Sequence, residues 1–582
     1  MAEDETDSIA APAATPPLGG RFLALLGRHP LPLLTLLCLA LWLPGIVSLP
    51  ALDRDESRFA QASRQMLESG NYVDIRLGHV PRYKKPVGIY WLQAATTAVA
   101  SPFVGTGQIW SYRLASLLGA LLSVWLTVWC ARAAVGPEAA FLSGTLMAGT
   151  LLLAAEATIA TTDAVLLACT LAVQGVLLRV WRAARDGDAP QPSTLLVLAG
   201  WAAVAVGALV KFPIVPGVAL ATILVLLGWD AWMSRGKADA PSVWRWLGSL
   251  QPLRGLLLTA LLVSPWLIAI SLQSHGAFFQ QSLGNDFAAK LEGGQESHGA
   301  PPGYYLLLSA ATFWPAILFV APGLVLAWAR RGEPAIRFLL AWAVGWWLLV
   351  EAVPTKLPHY ILPAYPAFAM LAAAWITGMG LSLWEKLAAW FSGLQFLIGA
   401  GALAAALVIL PRLYGGGDVL WLWGVAGLGS VLVLTALSLF AWGKRGWALT
   451  VSLAAALALI PSLSAGAGPQ LDQLWLTTRL AAAAVKHGRA GDAPPVLAGY
   501  TEPSMLFALG PDLGLADGAG AADLAARDGG LALIETREKG AFLARLAEKE
   551  ADAVPLETVT GFNYSRGQKA EVTIYRVAAM GH

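Results

Sequence analysis

The feature that most constrains this chain is a long series of apolar runs. A helix needs about 20 apolar residues to cross the hydrocarbon core of a bilayer. Runs of this kind lie at 31–49, 111–133, 137–155, 163–181, 194–210, 213–229, 255–272, 304–327, 338–353, 361–380, 390–410, 418–441 and 447–465. Only 13% of the 582 residues are charged, whereas soluble domains average about 25%. The sequence therefore predicts a polytopic α-helical membrane protein with about thirteen spans.

The distribution of cations predicts the orientation of the spans. If the N-terminus lies inside, every inside connection, from Arg21 and Arg28 to Lys444 and Arg445, carries Lys or Arg, as the positive-inside rule requires. Residues 1–30 are then a cytoplasmic tail, which we expect to be disordered, and 31–465 form the membrane domain. An odd number of spans places the C-terminus outside.

The composition changes after Gly466, where the apolar runs stop. Segments typical of strands lie at 496–500, 531–535 and 571–577, and segments typical of helices lie at 474–485 and 540–549. We therefore predict a small outside α/β domain over residues 466–582, which is an ordinary domain size.

The first outside loop, residues 50–86, is unusually basic for an outside connection. It opens with Asp53-Arg54-Asp55-Glu56-Ser57-Arg58 and ends with Arg82-Tyr83-Lys84-Lys85-Pro86. Charges beside hydrocarbon are costly unless they are paired or hydrated, and this basic outside loop indicates an anionic ligand. Residues 55–69 have helical periodicity, and Gly70 stands where a helix C-terminus is expected. The apolar segment 87–104 is predicted to be a helix lying in the membrane interface.

Asp55 is the main candidate for chemistry in this loop. An Asp at this position could simply cap the helix, but a capping residue can also face a pocket. For Asp53 and Glu56 we favour the structural interpretation, a cap or an interaction with the helix dipole. Arg58 either pairs with Asp55 or binds phosphate. Lys85 either binds phosphate or extends to the interface.

Other ionisable residues gather at the predicted outer ends of later spans. Asp163 opens one span, where capping is again an alternative, and Glu156 ends the preceding one. Lys211 lies in a turn between two spans, where a lone charge is more often functional than in a soluble loop. Lys356 and His359 belong to the third outside loop.

The sequence gives no clear metal or nucleic-acid site. The second outside loop, 273–303, contains His275 and His298 among acidic residues and glycines and could form a lid, but its histidines lack metal-ligand spacing. The three cysteines lie inside apolar runs and form no ligand pair or disulfide by spacing. We therefore predict no metal site and no cofactor, although a divalent metal stays open. With a net charge of +2 and no basic face, we expect no nucleic-acid partner.

The motifs of the first loop resemble a known superfamily. Asp55-Glu-Ser-Arg58-Phe-Ala-Gln, Met66-Leu-Glu-Ser-Gly70 and Arg82-Tyr-Lys-Lys85-Pro86 with Tyr90-Trp91 are similar to the opening outside loop of the aminoarabinose transferases (ArnT) and protein O-mannosyltransferases (PMT). Less specific matches are Thr162-Asp163, Lys211 with Pro213, Pro265-Trp266, Lys356-Leu-Pro-His359-Tyr360 and residues 561–567. Lys84 departs from the pattern, because aminoarabinose transferases often have an acid there.

This resemblance implies a fold of the GT-C type and an inverting glycosyltransferase in the bacterial cytoplasmic membrane, with the C-terminal domain in the periplasm. The enzyme would move a sugar from a polyprenyl-phosphate-linked donor to a lipid A-like glycolipid or another glycan. Asp55 and Asp163 match the catalytic acids, Lys85 a residue near the donor phosphate, and Lys211 a residue that binds polyprenyl phosphate. The remaining expected substrate contacts are Arg58, Arg82, Tyr83, Lys356, His359 and Tyr360.

Three alternatives remain open. The protein could be a flippase or transporter that binds polyprenyl phosphate without chemistry, or a protein O-glycosyltransferase. The C-terminal domain could also be a receptor or assembly module anchored by the spans, although thirteen spans are excessive for an anchor. A transporter places ionisable groups near the middle of the membrane, whereas here they lie at the ends of spans, which favours an enzyme. Lys and Arg near the scissile bond would stabilise a leaving phosphate. A carboxylate could take the proton of an acceptor hydroxyl.

Overall fold

A computed structural model describes residues 30–235, 243–282, 299–378 and 382–579. The tail predicted over residues 1–30 lies outside the described residues except for Pro30, which begins the first helix. Residues 283–298 of the second outside loop also lie outside them, and with them most of the predicted lid.

The membrane part is built from helices whose bounds follow the apolar runs closely. The first half contains α1 (Pro30–Ser48), α2 (Asp55–Ser69), α3 (Gly88–Val104), α4 (Ile109–Ala134), α5 (Pro137–Gly149), α6 (Leu151–Thr158), α7 (Asp163–Arg185), α8 (Thr194–Lys211), α9 (Ile214–Met233) and α10 (Pro252–Gln273). The second half contains α11 (Tyr304–Thr312), α12 (Val320–Ala329), α13 (Pro334–Ala352), α14 (Tyr365–Thr377), α15 (Leu383–Tyr414), α16 (Leu420–Ala441) and α17 (Arg445–Pro461). Within the described ranges, eleven helices are long and apolar enough to cross a membrane, or thirteen spans if each of two bent pairs counts as one. This confirms the predicted number.

Two of the spans are bent, and their bends lie against each other. Helices α5 and α6 meet at 59°, and α11 meets the segment Ala316–Ala329 at 115°. The amide of Leu151 at the first bend donates a hydrogen bond of 2.9 Å to the carbonyl of Trp314 at the second. Backbone groups freed inside a bilayer need a partner within the protein, and each bend supplies one for the other.

Glycines let the helices beside the first loop approach closely. A Cβ at Gly119 of α4 would lie 2.7 Å from the amide nitrogen of Val165 in α7, and a Cβ at Gly175 would lie 2.0 Å from the ring of Trp129. Close packing through small residues is how helices associate in lipid, where apolar burial gives little gain. The contact at Gly119 fixes the spacing of α4 and α7 near the first loop.

The first loop contains the helix that its periodicity predicts. Helix α2 has a buried face with Phe59, Ala62 and Met66, and it ends at Gly70, whose φ of 71° lies in the left-handed region that glycine tolerates. A short hairpin of β1 (Arg76–Leu77) and β2 (Val80–Pro81) follows. Helix α3 is also present, and its location in the membrane interface stays a prediction.

The C-terminal part contains a five-stranded sheet with helices. Its elements are α18 (Leu476–His487), β3 (Val496–Ala498), α19 (Pro503–Leu509), β4 (Gly514–Ala516), α20 (Gly518–Asp528), β5 (Gly530–Glu535), α21 (Lys539–Glu548), β6 (Ala553–Asn563) and β7 (Gln568–Val577). The strand order is β4-β3-β5-β7-β6; β3 is parallel to β4 and β5, and β7 is antiparallel to β5 and β6. All three predicted strands and both predicted helices are present. Strands β4 and β6 and helices α19 and α20 were not predicted from the sequence.

Candidate active site

A buried ion pair fixes the start of the first loop. The carboxylate of Glu56 accepts two hydrogen bonds of 2.8 Å from Arg113 of α4, and both side chains are almost fully inaccessible to solvent. The other N–H groups of Arg113 donate to the carbonyls of Ile46, Leu49 and Pro50, at 2.7 to 2.9 Å. All five guanidinium N–H groups are therefore used. The pair ties the end of α1 to the beginning of α2.

Glu56 also receives two backbone amides, which extend the same junction to the next helices. The amides of Leu52 and Ala160 each donate to it at 2.8 Å, and Ala160 lies between α6 and α7. Glu56 does lie in the first turn of α2, as the dipole interpretation requires, but no side-chain cap forms there among the described residues, so the cap interpretation is wrong. Glu56 is a buried acid that joins three parts of the chain.

Asp53 connects the loop to the C-terminal part. Its buried carboxylate accepts hydrogen bonds from Ser504, from Thr477 at 3.4 Å and from Tyr500 at 3.3 Å. The Asp53 amide donates to the hydroxyl of Tyr564 at 2.6 Å. Burial raises the pKa of Asp53 to about 6, although these hydroxyl groups oppose the rise. Capping is therefore wrong for Asp53 as well.

Asp55, between these two anchored residues, remains accessible. Its side chain is 67% exposed, and one oxygen lies 3.3 Å from Arg58. The surrounding protein partly desolvates the carboxylate, but the positive charges of Arg58, Arg82 and Lys211 outweigh this and hold the pKa of Asp55 below its usual value. No side chain caps the start of α2 in the described structure, so Asp55 is available to a ligand.

A second acidic and basic pair lies at the ends of α7 and α8. The Lys211 ammonium donates to Asp163 at 2.8 Å, and both side chains are largely buried. The hydroxyl of Thr162 donates to the other Asp163 oxygen at 2.8 Å. No side-chain hydrogen bond caps this end of α7 among the described residues, so the capping alternative is wrong for Asp163. The charge of Lys211 also acts on Asp55, which links this pair to the first loop.

The third outside loop completes the group. One nitrogen of His359 lies 3.9 Å from Asp163 and the other lies 3.8 Å from buried Glu156. The ring of Tyr360 lies 5.8 Å from the Lys211 ammonium. His359 is also within electrostatic reach of Asp55 and Lys85. The residues brought together from four parts of the chain are Asp55, Arg58, Arg82, Lys85, Glu156, Asp163, Lys211, His359 and Tyr360.

Two buried polar atoms near Asp55 lack a hydrogen-bond partner within the described part of the chain. They are Nε of Arg82 and the hydroxyl of Tyr90. The charges of both Arg82 and Asp55 act on Tyr90, so these atoms belong to the same region. Arg82 and the Tyr90 hydroxyl are close enough to interact with each other, but their geometry does not meet that of a regular hydrogen bond. Buried polar atoms are normally satisfied, so a polar ligand or water beside the accessible carboxylate would complete their hydrogen bonding.

The structure does not bring two of the predicted substrate contacts into this group. The Lys356 ammonium is almost fully buried and donates to the carbonyls of Glu351 at 2.7 Å and Val353 at 2.8 Å. It closes the C-terminus of α13, where a cation is favourable. Tyr83 is buried and donates to Asp74 at 2.8 Å, and burial together with that bond raises its pKa to about 12. We exclude both from the proposed site.

Three features of this region were not predicted from the sequence. Arg113 is a cation near the outer end of the apolar run 111–133, which is a recognisable signal of a buried partner. Tyr90 lies in a motif that carries the family resemblance, but nothing in the sequence assigns it a role. Glu156 ends a span as a second acid, and its position along the chain alone does not mark it as a site residue. Across the described ranges, no group of three or more His, Cys, Asp or Glu side chains is arranged to hold a metal ion.

Known proteins share this fold and parts of this sequence. The family profile described as dolichyl-phosphate-mannose-protein mannosyltransferase (PMT) matches residues 31–275. The crystal structure of ArnT from Cupriavidus metallidurans bound to undecaprenyl phosphate superposes with a TM-score of 0.70 at 18% identity, covering 93% of this chain and 97% of that one. At that identity the likeness concerns the fold.

Two curated relatives carry the sequence similarity further. The undecaprenyl phosphate-alpha-4-amino-4-deoxy-L-arabinose arabinosyl transferase 2 of Pseudomonas fluorescens is 29% identical over 347 residues, which is 59% of each protein. The corresponding transferase of Edwardsiella ictaluri is 26% identical over 378 residues, 64% of this chain and 62% of that protein. The chain thus spans about three fifths of the length of these relatives. This multi-pass membrane protein thus has the fold of ArnT, and its sequence is similar to the PMT family profile and to aminoarabinose transferases.

Proposed function

We propose that this chain is a glycosyltransferase that moves a sugar from a polyprenyl-phosphate-linked donor to a glycolipid or glycan acceptor of the cell envelope. The two relatives support the reaction class, since both are undecaprenyl phosphate aminoarabinose transferases. The structural neighbour supports the lipid, since that ArnT is bound to undecaprenyl phosphate. A lipid A-like glycolipid is the acceptor class that we favour.

The observation that carries the proposal is the accessible carboxylate of Asp55 among several cations. Arg58 contacts it, and the charges of Arg82 and Lys211 reach it. A doubly negative phosphate monoester is the leaving group of this reaction, and fixed cations stabilise that charge as it develops. We assign the donor phosphate to Arg58, Arg82, Lys85 and Lys211.

The proposed reaction breaks the bond between the anomeric carbon and the phosphate oxygen. An acceptor oxygen attacks that carbon from the opposite side, and the bonding electrons leave with the polyprenyl phosphate. If the acceptor is a hydroxyl, Asp55, which its neighbours keep ionised, takes its proton as general base. If the acceptor is itself a phosphate, no base is needed, and Asp55 stabilises the positive charge on the sugar.

Asp163 acts through Lys211 in this scheme. Its carboxylate holds the ammonium at 2.8 Å, and it is too enclosed to be the first choice of base, with 11% of the side chain exposed. His359 and Tyr360 border the same pair. We assign them to substrate orientation.

We further propose that the site faces the outside of the bacterial cytoplasmic membrane, with the N-terminus cytoplasmic. The support is the lysines and arginines of the predicted inside connections. The chain would divide into a membrane catalytic domain over 31–465 and a periplasmic domain over 466–582.

The experiment that tests the function compares Asp55→Asn with the wild type in an envelope transfer assay. The assay supplies undecaprenyl-phosphate-linked aminoarabinose and a lipid A acceptor, and mass spectrometry detects the product. We expect Asp55→Asn to lose at least about 100-fold in transfer rate, within the range of acid–base contributions, while undecaprenyl phosphate still binds. Asp512→Asn is a matched control, because Asp512 is 64% exposed and has one ion pair, with His79.

Near-normal turnover by Asp55→Asn would remove the catalytic role of this carboxylate. Translocation of labelled undecaprenyl phosphate across vesicles containing the wild type, without any glycosidic product, would favour a flippase instead.

A further inference from the structure

The C-terminal part of the chain binds the backbone segment that carries Asp55. Three of its side chains bind the Asp53 carboxylate, as described above: Thr477 on α18, Tyr500 after β3 and Ser504 on α19. Tyr564, after β6, accepts the hydrogen bond of the Asp53 amide. Four separate segments of the C-terminal part therefore converge on one residue of the first loop.

The neighbouring residues of the loop are held in the same way. The Arg54 guanidinium donates to the carbonyl of Ser565. The Arg64 guanidinium donates to the carbonyl of Phe507 at 3.2 Å, and the ring of Phe507 packs edge-on against Tyr112 of α4 at 5.7 Å. The C-terminal part is thus in contact both with the loop and with the span behind it.

Asp55 lies between two residues that are each held by a different part of the chain. Asp53 is fixed by the C-terminal part, and Glu56 is fixed by Arg113 in the membrane part. Between them, Arg54 has φ of 64° and ψ of −116°, a combination that a residue with a side chain adopts only at a cost. Strain of this kind persists only where the surroundings over-determine the backbone, and it is concentrated at functional sites.

We propose that the C-terminal domain is a working part of the active site, in which Asp53 and Tyr564 are positioning residues that hold the Asp55 carboxylate in its reactive place. The proposal rests on the transfer reaction proposed above. It gives the domain a mechanical role in catalysis in place of an accessory or purely docking role.

The hydrogen bonds to Asp53 are better explained by a role in positioning the loop than by a role in stabilising the fold. A buried carboxylate without a cation partner contributes little to stability, because removing its charge from water is costly. Asp53 is bound by three hydroxyl groups, and apolar residues would have filled the same volume more favourably. These hydrogen bonds instead fix the direction of the loop backbone and its distance from the C-terminal part.

The test uses the full-length protein and two conservative variants, Tyr564→Phe and Ser504→Ala. Each removes one hydroxyl that binds Asp53 and leaves Asp55 and the donor site untouched. We expect kcat to fall roughly 10- to 100-fold with KM for the donor almost unchanged, since a misplacement of about 1 Å can cost 100-fold in rate. Amide hydrogen exchange across residues 53–57 should become faster in both variants.

Thr558→Val is the control. It removes one hydroxyl from a hydrogen bond of 3.0 Å between β6 and β7 in the same domain, away from the loop. We expect wild-type kcat and wild-type exchange at residues 53–57, which separates positioning from a general loss of domain stability.

The proposal is overturned if Tyr564→Phe and Ser504→Ala keep wild-type kcat and wild-type exchange at residues 53–57, or if Thr558→Val lowers kcat equally. Failure of the proposed function looks different, because then the wild type itself transfers no sugar. The exchange measurement needs no turnover, so it decides whether the C-terminal domain anchors the loop in that case too.

Discussion

Replacing both Glu56 and Arg113 by apolar residues should destabilise the protein, although buried ion pairs often tolerate such a replacement. Replacing both partners of a buried pair by apolar residues is often neutral or even stabilising by about 1 to 4 kcal/mol, because two desolvated charges disappear. Here the two side chains also form hydrogen bonds with backbone carbonyl and amide groups. Arg113 binds three carbonyls and Glu56 binds two amides.

The carbonyl of Ile46 shows why the backbone depends on this pair. In a helix it would accept from the amide four residues later, but that residue is Pro50, which has no N–H. Arg113 supplies the missing donor at 2.9 Å. The amide of Ala160 is likewise buried and bound only to Glu56 in the described structure.

We therefore expect the double variant Glu56→Leu/Arg113→Met to be destabilised rather than rescued. Leaving the two fully buried groups, the Ile46 carbonyl and the Ala160 amide, without partners costs about 1 to 3 kcal/mol each, or about 2 to 6 kcal/mol in total. The single variant Glu56→Gln leaves an uncompensated guanidinium and should lose about 3 to 5 kcal/mol.

The measurement is unfolding of the purified protein in detergent, with Glu333→Gln as the control. Glu333 forms an exposed pair with Arg330, and exposed pairs contribute about 0 to 1 kcal/mol. A double variant that unfolds at the wild-type midpoint would refute the reasoning, because the five backbone groups would then have found other partners without cost.

Three further predictions concern single side chains. Lys211→Met should weaken binding of undecaprenyl phosphate at least about tenfold, and Lys211→Arg should keep most of it, as a calorimetric titration would show. Lys356→Met should lower the thermal midpoint without changing donor affinity, since the contacts of its ammonium in the described structure are the carbonyls at the end of α13, the Glu351 carboxylate and the ring of Tyr305. Burial raises the pKa of Asp53 from 3.8 to about 6, so its contribution is fullest below pH 3.8 and is lost as the pH rises through 6. The charged or titratable groups facing it are Tyr500, Glu502 and Tyr564. The wild-type thermal midpoint should therefore fall between about pH 4 and pH 6, and Asp53→Asn should reduce this fall.

The spans were predictable from sequence because apolar length alone decides them. Helix α2 was also predictable, because the helical periodicity of residues 55–69 and the glycine at position 70 indicate the same helix. Strand β6 escaped prediction because it lies at the edge of the sheet with mostly accessible residues and a register shift at Pro555. Such a strand has neither the alternation nor the apolar content on which sequence reasoning depends.

The sequence predicted most of the residues that lie in the site, but not what each side chain binds. The sequence predicts only a local role for Glu56, at the start of its helix, because nothing near it in sequence shows that Arg113 would face it. Lys356 looked like a ligand contact, because a lysine in an outside loop gives no sign that its ammonium will turn back onto the end of a helix. In each case the partner is set by tertiary packing, which spacing along the chain does not report.

The hydrogen bond between the two bent spans has a consequence for biogenesis. During synthesis the third span reaches the membrane well before the eighth, yet in the described structure the amide of Leu151 donates to the carbonyl of Trp314 in the later span. An amide without an acceptor in hydrocarbon costs several kcal/mol. We therefore expect the earlier span to enter the bilayer in a different local conformation and to take its final bend only when the later span arrives. Final folding of this bend would then depend on translation of the second half of the protein.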